Sequence, residues 1–248
     1  MLFRILQEDA PMSEKIIELV LMIMVLSFTF SVHEFMHAWV ATKMGDDTPK
    51  RQGRVTLNPL AHFDPLGSVM LLLAGFGWAK PVQYNPNNLK KFKRTTCERL
   101  ISLAGVFANY ITAIVSSFIL VFVVAYFAKH PTESRSAALA ETIITYFFWL
   151  LREYGFLFMA FNLIPIPPLD GYRFVSTYIP YKWRQSFESI TQYSYYIFFA
   201  LILLDHYGNV SILSKIVYWI SYPFRWPVDK ICGEIFYNLV GKTISIFG

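Results

Sequence analysis

EKIIELVLMIMVLSFTFSVHEFMHAWVATKM, residues 14–44, decides the fold. Its first half is almost wholly apolar, and the second half carries His33, Glu34 and His37 with no break in helical character. The run is longer than the roughly 20 residues of helix that cross a hydrocarbon core. Helix residues four apart lie one above the other on the same face. His33 and His37 therefore present two imidazoles to one point, with Glu34 beside it.

Ionisable groups at membrane depth are costly unless they are paired or bound to metal. Three of them within five residues point to a metal site more than to helix histidines satisfied by polar neighbours. Zinc suits neutral imidazole, takes four ligands, and in catalytic sites leaves one position for water. Glu34 stands where a general base for that water belongs. One Zn2+ per chain is expected, still lacking a third protein ligand.

The rest of the chain agrees in class. Of its 248 residues, 55% are hydrophobic and only 16% charged, too little polar surface to cover a water-soluble globule of this size. Further apolar runs occupy residues 101–127 and 137–163, with weaker ones at 187–204 and 210–224. Residues 66–79, with glycines at 67, 75 and 77, are too few for a span and suit a re-entrant or half-spanning segment. In the polar stretch before them, RVTL at 54–57 supplies at most a short strand. The expected fold is an all-α polytopic membrane protein with about five transmembrane helices plus that short segment. Residues 1–248 form a single membrane-embedded domain: a catalytic core over about 14–175, additional helices over about 187–224, and an interfacial helix at 225–248. The first run lacks the short apolar region and small-residue cleavage site of a removable leader.

Charge orients the expectation. The net +5 is gathered in the connections, where it reads as topology and contact with anionic membrane lipid; no nucleic-acid partner is expected. Lys43, Lys50, Arg51 and Arg54 precede the short segment, and Lys80, Lys90, Lys91, Lys93, Arg94 and Arg99 follow it. Both flanks therefore favour the cytoplasm, which places the N-terminus outside and the C-terminus inside. Cys97 and Cys232 stand far apart without a CxxC pattern, so neither a disulfide framework nor a thiolate site is indicated.

For the third zinc ligand the residues leave two choices. Asp170 closes the run 137–163 where Pro165, Pro167 and Pro168 forbid a continuing helix, which would let its carboxylate turn inward. His62 and Asp64, in NPLAHFDPLG, compete from a polar loop better suited to capping the site.

HEFMH at 33–37, AGVFAN at 104–109 and FNLIPIPPLDG at 161–171, in that order, resemble the site-2 protease family of intramembrane zinc metalloproteases. The resemblance runs from about Val32 to Phe174. GRVTLNPLAHFDPLG, FGWAKPV and NLIPIPPLDG are similar to a compact prokaryotic branch without appended regulatory domains. It implies a multi-pass protein of the cytoplasmic membrane that hydrolyses peptide bonds of transmembrane protein substrates near the cytoplasmic side, in regulated intramembrane proteolysis. It further implies His33, His37 and Asp170 as zinc ligands, Glu34 as the catalytic glutamate, and Asn162 and Asn109 as contacts to substrate or to the tetrahedral intermediate. One departure is Val106, where the family commonly has proline after AG. Two rival classes use the same groups. A metal or proton transporter would more often show paired half-repeats, and none is seen. An inert membrane scaffold would be expected to have lost Glu34 or a ligand, and all four residues are present.

Overall fold

The protein is described from a computed structural model. It covers residues 10–74, 77–131, 134–180 and 212–241, together with 182, 183, 187, 189, 193, 194, 196, 200–202, 204 and 205. The described residues are helical, with no strand; residues 54–57 are irregular. Among the described residues, three helices are long and apolar enough to cross a membrane: α1 (Met12–Lys43), α3 (Arg94–Lys129) and α4 (Arg135–Asn162), with the shorter α2 (Pro65–Ala74) between the first two. After them come α5 (Asp170–Ser176) and α6 (Ile212–Val240). Half of the run 187–204 lies outside the described residues.

The outward faces of these helices are the reverse of a water-soluble bundle. On α3 the exposed residues Phe107, Ile111, Val115, Ile119, Phe122 and Tyr126 recur every three or four positions, a lipid-facing stripe. Inward, Val106, Ala113 and Val121 of α3 meet Phe156 and Met159 of α4 and Val228, Cys232 and Phe236 of α6 in one core. Leu21 and Val25 of α1 close on Leu150 and Leu151 of α4. Gly155 lets α4 approach α3, since a Cβ there would sit 2.9 Å from the backbone nitrogen of Ala113. Small residues at such crossings are how membrane helices gain packing contact.

α1 ends where Gly45 takes φ +111°, a conformation that side chains disfavour. The connection beyond is anchored by Asp46, which accepts hydrogen bonds from Thr48, from the Asn85 N–H and from the Asn88 amide. Burial alone would raise its carboxyl, but these hydrogen bonds outweigh burial and hold it below the usual carboxylate value.

The short apolar run begins with α2 and turns back. The Lys80 N–H donates to the His62 carbonyl at 2.9 Å, and a Cβ on Gly67 would meet the Trp78 carbonyl oxygen at 2.1 Å. The chain thus leaves and returns at one place, and Arg54 braces both ends by donating to the carbonyls of Ala61 and Lys80.

At the C-terminal end the structure corrects the expectation. Residues 212–224 and the described part of the segment expected as a separate interfacial helix, 225–240, form one continuous helix, α6, through Pro223 and Pro227. Each proline removes one backbone donor, yet Val228, Cys232 and Phe236 beyond them are fixed in the core with α3 and α4. A four-charge cluster adds to this. Arg152 of α4, 0% exposed, binds Glu153 and Asp229, while Arg225 pairs with Glu153 through two bonds of 2.8 Å.

Candidate metal centre

α1 delivers His33 and His37 one turn apart, as their spacing requires, and both are buried. Asp170 arrives as the first residue of α5, after Pro165–Pro168 have ended the preceding helix. Gly171 permits that arrival, because a Cβ there would lie 2.3 Å from the Leu163 carbonyl oxygen. The three side chains converge. His33 Nε2 and His37 Nε2 are 3.0 Å apart, and Asp170 Oδ2 lies 3.1 and 3.0 Å from them. His62 is elsewhere: it is buried beneath its own loop, with Nε2 2.9 Å from the Thr56 carbonyl.

Among the described residues, His33, His37 and Asp170 are the group able to hold a metal ion. Two imidazole nitrogens and a carboxylate oxygen facing one another favour a shared cation between them. Ligand atoms around tetrahedral zinc are about 3.3 Å apart, from bonds of roughly 2.0–2.1 Å, so a triangle of this size fits. Burial alone would raise the Asp170 carboxyl, but the imidazoles against it hold it well below the usual range, in the ionised form that ligates.

The second face of the site belongs to α3. A Cβ on Gly105 would lie 2.4 Å from His37 Nε2 and 2.6 Å from His33 Nε2, so glycine leaves the space into which both donor nitrogens point. One turn earlier, the Ile101 carbonyl lies 2.7 Å from His37 Nδ1. One turn later, Asn109 places its amide 3.1 Å from His33 Nδ1. Glu34, next to the histidines, accepts a hydrogen bond at 2.9 Å from the Val82 N–H, on the segment that returns from α2.

His33, Glu34, His37, Asn109 and Asp170 open onto one cavity of about 1030 Å3, walled by α1, α4 and α6 and lined by Phe30, Trp78, Tyr154 and Phe158. Asn162 lines it too, its amide donating to the Phe158 carbonyl of its own helix at 3.0 Å.

Residues 21–204 match the model of peptidase family M50. The chain belongs to that family. It is 37% identical over 182 residues to "Putative zinc metalloprotease YwhC" of Bacillus subtilis, covering 73% of this chain and 80% of that protein. It is 25% identical over 196 residues to "Putative zinc metalloprotease Rip2" of Mycolicibacterium smegmatis, covering 76% and 68%. No solved structure matches. The resemblance to the site-2 proteases therefore holds, and with the apolar helices it makes this M50 peptidase an integral membrane protein.

Reasoning from the sequence assigned no role to three contributors to the centre, although Gly105 lies within AGVFAN and Val82 within FGWAKPV. Gly105 and the Ile101 carbonyl act through backbone proximity, which no side-chain pattern announces. Val82 acts through its N–H. The charge cluster outside the centre did leave a signal, since Arg152 and Glu153 interrupt an otherwise apolar run.

Proposed function

We propose that the chain is an intramembrane zinc metalloprotease that cleaves transmembrane protein substrates near the cytoplasmic side of the bilayer. The observation that carries the reading is the convergence of His33, His37 and Asp170, with Glu34 beside them, on a cavity walled by membrane helices. His33, His37 and Asp170 would hold the zinc. Bound there, it supplies Lewis acidity to the attacking water and to the scissile carbonyl. Glu34, one oxygen fixed by the Val82 N–H, takes the proton of that water and returns it to the leaving nitrogen. Asn162, facing the cavity, offers its amide to the substrate backbone.

Depth supports cleavage near one face. His33 is 21 residues past Met12, about 32 Å along α1 and so close to the far edge of a hydrocarbon core of about 30 Å. The connections at that end are the basic ones. They are also tied together, since the N–H groups of Lys90 and Lys91 donate to the Met44 carbonyl. The re-entrant run returns to that same face, and the positive-inside rule makes it cytoplasmic. Residues 1–248 act as a single membrane domain with the N-terminus outside, in contact with anionic lipid.

The test is purified chain with a model transmembrane substrate. Glu34→Gln should keep zinc near wild-type stoichiometry and abolish cleavage, while a chelator silences the wild type. A Glu34→Gln chain that cleaves at the wild-type rate refutes the assignment.

A further inference from the structure

Asn109 is 1% exposed and sits on α3 two turns from Ile101, with Gly105 between them. A backbone carbonyl points toward the helix C-terminus and a side chain leans toward the N-terminus. The Ile101 carbonyl and the Asn109 side chain therefore converge on the Gly105 notch from opposite directions. They meet the two imidazoles that α1 sets one turn apart.

The His37 contact has one sense: its Nδ1–H donates to the Ile101 carbonyl, so in the neutral ring that ligates a metal the lone pair is on Nε2. His33 Nε2 faces the same point and needs the same tautomer. Its Nδ1 then carries the proton and requires an acceptor, and Asn109 is the group at 3.1 Å. The Asn109 Oδ1 atom is buried with no hydrogen-bond partner among the described residues when Nδ2 faces the ring. Turning the amide about its axis gives His33 its acceptor and brings Oδ1 its hydrogen bond.

We infer that Asn109 is a positioning residue for His33: its carbonyl oxygen accepts the Nδ1 proton, fixing the ring's tautomer and aim. This rests on the zinc reading proposed above, and it replaces the substrate or intermediate contact implied by the resemblance. Outer-sphere acceptors of this kind change metal affinity 10- to 100-fold when removed.

Zinc affinity is measured on the purified full chain by competition with a chromophoric chelator, with no turnover in the readout. Asn109→Leu, close in shape but without an acceptor, should weaken zinc binding about 10- to 100-fold. Asn109→Ser, too short to reach the ring, should do the same if the leucine variant does not fold. Asn109→Asp keeps an acceptor and should bind within about threefold of wild type, because carboxylate–histidine–zinc is itself a common arrangement. Wild-type affinity in the leucine or serine variant, with the effect appearing in KM instead, overturns the positioning role alone. Equal losses in the serine and aspartate variants also overturn it. A wild-type chain that takes up no zinc removes the metalloprotease reading as well.

Discussion

Replacing Gly105 with alanine adds one methyl group where the two ligand nitrogens meet. The added carbon would lie 2.4 Å from His37 Nε2 and 2.5 Å from His33 Cε1, against the 3.4 Å at which ordinary contact begins. The rings must then withdraw by about 1 Å, several times the roughly 0.2 Å tolerance of zinc–ligand distances. Withdrawal also stretches the bonds from His37 to Ile101 and from His33 to Asn109, now 2.7 and 3.1 Å. Taking about 1–2 kcal/mol for overpacking and about 1 kcal/mol for each weakened bond gives about 3–4 kcal/mol. That corresponds to a loss of about 10²- to 10³-fold in zinc affinity. Chelator competition measures the affinity, and cleavage of a model substrate should fall with it. Gly233→Ala is the control, because a Cβ there meets nothing within 4 Å, and it should leave both readings unchanged. A Gly105→Ala chain that holds zinc within a factor of about three would refute the notch and the placement of α3 against the histidines.

Asp170→Ala should lose most zinc and all cleavage, whereas His62→Ala should keep zinc and measurable cleavage; metal analysis of the two proteins decides, and the reverse pattern would move the third ligand. Arg152→Met removes the buried donor to Glu153 and Asp229, which keep Arg225 as partner, and should lower stability by about 1–2 kcal/mol, seen as earlier thermal unfolding in detergent; an unchanged transition would deny the cluster a structural role. Asp46 predicts a pH dependence. Its carboxyl is held below the ordinary value, so its anchoring is complete above about pH 4 and is lost as pH falls through the lowered value. Protection of the Asn85 amide against hydrogen exchange, taken relative to the intrinsic rate at each pH, should therefore fall only in acid for the wild type, and already at neutral pH in Asp46→Asn; acid-independent protection in the wild type would contradict this.

The metal side of the centre was legible because its geometry is written in side chains. The spacing of His33 and His37 is a helical turn, and a carboxylate placed just after Pro165–Pro168 has to be turned out of a helix. The supporting side was not legible, because Val82 and Ile101 contribute main-chain groups that every residue possesses. The ends of α1, α3 and α4 followed from apolar length to within a few residues at most boundaries, although α3 begins seven residues before its apolar run. α6 was divided because Pro223 and Pro227, with Arg225 and Asp229 around them, resemble the end of a span. Packing against Phe156 and pairing with Arg152 and Glu153 hold that helix together, and these are tertiary contacts that a local pattern does not contain.

The bond between the Lys80 N–H and the His62 carbonyl makes the α2 excursion a closed loop, which bears on insertions and deletions. Residues added at its tip enlarge the loop without moving its neck, so the catalytic geometry should be indifferent to length there. Between the neck and Glu34's partner lies only Pro81. Removing or adding one residue in that interval shifts the returning segment by one position against Glu34. A shift that brings position 81 opposite Glu34 offers a proline, which has no N–H to give. Length variation in this loop should therefore be tolerated at its tip and excluded over residues 80–82.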